Sequence, residues 1–161
     1  MFKIGDMAVY PAQGVGVIEA IEAREFGGER NEFYVLRIVD SDMTIMVPIA
    51  NVSHVGLRSL IEKSKVDSIY DILEEKRNAG QAFASWSRRQ REYNERIKTG
   101  DLCEVAVVLR ELYLIRCEKE LSYGEKKVLE LARKLLVKEV ALAEGALEEQ
   151  VVERVEKIFL H

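Results

Sequence analysis

Residues 84–98 read ASWSRRQREYNERIK and hold the chain's only tryptophan, Trp86, followed within five residues by Arg88, Arg89 and Arg91. An indole flanked by guanidinium groups suits nucleic acid, because a base can stack on the ring while the cations hold phosphates without reading sequence. Between Lys76 and Lys98 seven basic residues stand against two acidic ones, a local charge of +5 in a chain whose net charge is −4. If Ser85 caps a helix here, Arg88 and Arg89 fall in its first turn, where the macrodipole favours acids and each cation costs a few tenths of a kcal/mol. Breaks in local rules of this kind cluster at functional sites. A second use of the same residues stays open. Trp86, Tyr93 and Ile97 stand at i, i+7 and i+11 on one face, so the indole could anchor the helix in its own core, with Arg88–Glu92 and Arg91–Glu95 as surface pairs of small value.

Other chemistry is thin. The glycines of PAQGVGVIE neither follow the spacing of a phosphate-binding loop nor open a helix. Carboxylates sit three and four residues from Lys and Arg, the pattern of solvated helix faces. Cys103 and Cys117 lie 14 residues apart in what reads as one helix, so they stand roughly 21 Å apart, beyond disulfide reach, and are expected to be buried thiols. His54 and His161 have no ligand partners at metal-binding spacing, and a structural role is expected for His54. The expectation is a non-enzymatic protein without metal, cofactor or small-molecule substrate.

Two regions must position the basic helix. At 161 residues, 48% hydrophobic and 32% charged, the chain is a foldable mixture with room for one ordinary domain or two small ones. No apolar run approaches the roughly 20 residues of a membrane span, and the start MFKIGDMAVY lacks a signal-peptide pattern, so a cytoplasmic protein is expected. Before residue 60, MAVY, VGVIEAIEAREF, NEFYVLRIV and MTIMVPI are β-rich runs separated by turn signals, a meander of about five strands closing into a small barrel. Gly27-Gly28 supplies the positive φ of a tight hairpin, and Pro48 restricts its strand to an edge or an end. After residue 60 the period becomes helical. Ser64/Asp67, Asp101/Glu104 and Ser122/Glu125 have capping-box spacing, and helices are expected near 65–77, 86–98, 102–119, 123–144 and 147–159, with stops at Gly80, Thr99-Gly100 and Gly145. Leu102, Val105, Val108, Leu109, Leu112 and Ile115 form one apolar stripe, faced by Val128, Leu131, Leu135, Val137 and Leu142. The predicted architecture is α+β, with a β-barrel over 1–60 and a compact five-helix domain over 61–161.

Four blocks in order, FKIGDMAVYPAQGVGVIEAIE, IMVPIANVSHVGLR, WSRRQREYNERIKTGD and LSYGEKKVLELARKLLVKEVALA, resemble the CarD/CdnL family of bacterial transcription regulators almost end to end. The resemblance implies an N-terminal Tudor-like domain that docks on the RNA polymerase β subunit. It also implies a helical C-terminal domain that touches promoter DNA at the upstream edge of the melted region, where a tryptophan wedges into the minor groove. Trp86 matches that tryptophan, Arg88 and Arg91 match basic positions beside it, with Arg89 between them, and Lys126 matches a further one. On the polymerase side Arg24, Met46 and Pro48 fall on contact positions, with Phe26 and Val47 beside them. Some relatives carry arginine where this chain has Met46, so the contact here is expected to be apolar. Little base specificity is implied, since a minor-groove wedge reads shape and deformability. Two rival readings are an RNA-binding module and a protein-binding adaptor with Trp86 in its core.

Overall fold

The computed structural model describes residues 1–75 and 85–160, which form two compact units, Met1–Leu60 and Ile61–His161. In the first, β1 (Met7–Tyr10), β2 (Gly14–Phe26), β3 (Glu29–Ile38), β4 (Thr44–Pro48) and β5 (Arg58–Ser59) make one antiparallel sheet in the order β4-β3-β2-β1-β5. The expected closed barrel is corrected to an open sheet with β4 and β5 as its edges. The two edges are short: β5 has two residues, and β4 ends at Pro48, which has no N–H to extend a ladder.

Gly27 and Gly28, at φ +58° and +84°, turn β2 into β3 so that Phe26 pairs with Glu29. Alternation along β3 sends Tyr34, Leu36 and Ile38 inward, where they meet Ala8, Ile18, Val47 and Leu57. The opposite face of β3 is only half-buried, as an open sheet requires. A short helix, α1 (Val52–Val55), links β4 to β5, and His54, in its last turn, is exposed.

The second unit contains α2 (Val66–Glu74), α3 (Trp86–Lys98), α4 (Leu102–Glu118), α5 (Tyr123–Glu144) and α6 (Glu148–Phe159). With α1, the described residues hold six α-helices rather than five. The α4 helix is the hub and packs against the other four. All six residues of its expected stripe are buried, joined by Ala106 and Tyr113. On α5 the phase differs from expectation: Val128 and Val137 are buried, Leu135 and Leu142 are half-buried, and Leu131 is 37% exposed. The inner seam runs instead through Leu129, Ala132, Leu136 and Val140, spacings of three and four that keep one face on its neighbours.

The caps divide three ways. Ser122 and Glu125 form the full reciprocal box. Asp101 accepts from the Cys103 N–H, but Glu104 turns to Arg96 instead of back to the cap. Ser64 does not cap α2, because a 3-10 turn over Lys63–Lys65 makes Lys65 the residue at the boundary. The stop expected at Gly80 lies outside the described residues, whereas Gly145 does end α5 in the left-handed conformation at φ +71°. Neither thiol is buried as expected: Cys103 is half-buried and Cys117, in the last turn of α4, is exposed. Among the described residues no helix is long and apolar enough to cross a membrane.

Candidate nucleic-acid interface

Ser85 opens α3 by accepting a hydrogen bond from the Arg88 N–H, which places Trp86 at the first helical position. The helix then sorts its side chains by spacing. Arg89, Tyr93 and Ile97 are buried on one face, and Trp86 heads the same line, half-buried. Arg88 and Arg91 point to solvent, and among the described residues neither guanidinium has an ion-pair partner, so the surface pairs with Glu92 and Glu95 do not form.

Arg89 is placed differently from its neighbours. Its Nη1 donates to Glu125 Oε2 at 3.0 Å, with the two side chains 5% and 4% exposed, and its guanidinium carbon stands 5.1 Å from the Trp86 ring centre. Glu125 serves two elements at once. One oxygen accepts from the Ser122 N–H at 2.9 Å, closing the α5 cap, while the other takes the Arg89 bond. Burial raises the Glu125 carboxyl pKa, but hydrogen bonds from the Ser122 backbone and hydroxyl, together with Arg89, outweigh it and leave the carboxyl below its ordinary value. Tyr93 lies against the indole at 6.2 Å between ring centres, and burial pushes its hydroxyl up to about 12, so it stays neutral at physiological pH.

The first turn of α5 completes the surroundings. Gly124 sits so close to Trp86 that a Cβ there would be 2.8 Å from the indole Nε1. Tyr123 is 75% exposed, with the Lys127 ammonium 5.0 Å from its ring centre. Lys126 is exposed and only loosely paired, 3.6 Å from the outlying Glu120 carboxylate. Replacing Ser122 with alanine removes the cap acceptor for the Glu125 N–H, and the expected loss is about 1 kcal/mol in urea denaturation.

On the other unit, the register pairs Met46 with Val35, Pro48 with Phe33 and Arg24 with Asn31, so Arg24, Met46 and Pro48 project to one face of the sheet. Met46 and Pro48 are half-buried there beside Phe33 and Val35. Arg24 is exposed and pairs with Glu22 at 3.1 Å, a contact of small value at such exposure. Val47 points the opposite way, 1% exposed in the core, so it offers a partner only backbone. The Phe26 side chain lies outside the described residues.

From the sequence, Arg89 groups with the solvent-facing cations, Glu125 has only its capping role, and Gly124 has none. The spacing 86, 89, 93, 97 carried the signal for Arg89, since positions three and four apart share a helical face. Nothing in the sequence announced that Gly124 would meet Trp86.

The two units correspond to two family models: the CarD-like/TRCF RID domain matches residues 2–61, and the CarD C-terminal domain matches residues 68–156. The chain belongs to the CarD/CdnL family of transcription regulators, and its sheet unit is that family's RNA polymerase-interacting domain. Among its relatives is YdeB of Bacillus subtilis (strain 168), a candidate transcription factor, which is 35% identical over 151 residues, covering 94% of this chain and 97% of YdeB. The solved structure of CdnLNt from M. xanthus is 56% identical to the part it matches, 38% of this chain and 86% of its own, with a TM-score of 0.33.

Proposed function

We propose that the protein docks on the RNA polymerase β subunit through its sheet unit and prolongs the life of the promoter open complex by placing Trp86 in the minor groove at the upstream edge of the bubble. The observation that carries this reading is the state of Trp86: half-buried at the leading turn of α3, beside the solvent-facing Arg88 and Arg91, which have no ion-pair partner among the described residues. Lys126 adds a further cation from α5. Arg89, closed off by Glu125, holds the assembly rather than touching DNA.

Magnitudes favour holding over melting. Stacking one aromatic on a base contributes about 1–3 kcal/mol, and one duplex step is worth roughly 1.4 kcal/mol, so one wedge keeps a fork open but does not open a promoter. Three cations neutralising about three phosphates give a salt slope of only about −2.7, which makes binding to free DNA weak in an acidic protein. A tether to polymerase raises the local concentration of the basic helix to roughly the millimolar range. The β4 edge, with the apolar Met46 and Pro48 near its end, suits pairing with a strand of the partner.

The test is the lifetime of the open complex after competitor challenge, with polymerase alone, with this protein and with Trp86→Ala. The native protein is expected to lengthen that lifetime, and the variant to lose about tenfold of the effect while still co-eluting with polymerase. No lengthening by the native protein sinks the reading.

A further inference from the structure

The geometry points to Gly124 as a positioning residue that seats Trp86 and fixes how far the indole projects. Gly124 occupies the second position of α5, where alanine is the better helix former by up to about 1 kcal/mol, and its φ is not in the region reserved for glycine. The helix itself therefore gives no reason for glycine. The indole gives one. A Cβ at this position would lie 2.8 Å from Trp86 Nε1 and 3.1 Å from both Cε2 and Cζ2, so one edge of the indole rests directly on the α5 backbone. The ring cannot retreat freely from a new methyl group, because Arg89 lies 5.1 Å from its centre and is itself pinned by Glu125, while Tyr93 stands 6.2 Å away. Seat and clamp come from the same turn of α5, Gly124 supplying the room and Glu125 the charge that holds Arg89. An indole fixed in this way meets the groove in one orientation, and the ordering cost of choosing it is met on folding rather than on binding.

This inference rests on the wedge reading above, and its test separates the two. The lone tryptophan makes the seat visible without DNA: Gly124→Ala is expected to change the emission maximum and quencher access of Trp86 in the free protein while far-UV helicity stays at the native level. In open-complex lifetimes Gly124→Ala is expected to lose most of the roughly tenfold effect lost by Trp86→Ala. Phenylalanine lacks the indole atoms that touch Gly124, so in a Trp86→Phe background the same glycine substitution is expected to change the lifetime by less than about twofold, a coupling that a double-mutant cycle reads directly. Equal losses in both backgrounds, or failure of Gly124→Ala/Trp86→Phe to fold, overturn the seat. Full lifetime with Gly124→Ala also overturns it, provided that Trp86→Ala is defective. If Trp86→Ala has no effect, the wedge reading is lost, while the fluorescence of Gly124→Ala still decides whether the seat exists.

Discussion

Arg89→Ala lowers the stability of the helical unit by about 3–5 kcal/mol, because it leaves the Glu125 carboxylate buried without its countercharge. The cost comes from the stranded charge more than from the lost contact, and a double substitution shows this. In Arg89→Met/Glu125→Gln the amide oxygen still accepts the Ser122 N–H, no charge is buried, and most of the loss is expected to return. Urea denaturation followed at neutral pH checks both. The pH dependence has a definite sign. The carboxyl of Glu125 is held below its ordinary value in the folded protein, so its contribution is complete above the unfolded value of about 4.3 and fades as the pH falls through the lower folded one. The stability gap between the native protein and the neutral double variant therefore narrows below about pH 4. An Arg89→Ala variant within about 1 kcal/mol of the native protein at pH 7 contradicts a dry, paired guanidinium.

Val47→Asp places a carboxylate in the core of the sheet unit, against Tyr34 on the neighbouring strand and among the apolar side chains of Ile18, Leu36 and Leu57. An uncompensated charge in such a site costs several kcal/mol, as much as a unit of this size has to lose. Co-elution with RNA polymerase is expected to disappear, while the far-UV signal of the helices persists. Met46→Ala is the control, since that side chain lies on the outer face and its loss is expected to weaken docking with the sheet intact. If Val47→Asp still co-elutes at native strength, the sheet unit is not what polymerase holds.

What was legible in the sequence was periodicity and what caps it. The spans of α3 and α5 follow from Ser85 and Ser122 at their starts and from Thr99-Gly100 and Gly145 at their ends, and Gly27-Gly28 announces the β2–β3 turn. Closure of the sheet was not legible, because strand patterns specify faces and neighbours but not whether two short edges meet. The phase of α5 was missed because leucines and valines lie on more than one side of that helix, and only packing against α4 selects Leu129, Ala132, Leu136 and Val140 as its inner line. The split among the arginines was half legible. Helical spacing separates Arg89 from Arg88 and Arg91, but the partner that draws it inward is 36 residues away, and no local pattern reaches that far.

That distance bears on how the helical unit assembles. Helix initiation is ordinarily a neighbourhood affair, in which a cap residue and the residue three places on settle the loose N–H groups between themselves. At the start of α5 the same carboxylate that completes the cap is also claimed by Arg89, so the first turn reaches its final form only once the earlier helix has arrived. Nucleation of α5 is thereby coupled to a long-range encounter, and the two helices that flank the tryptophan should gain and lose their order as one cooperative element.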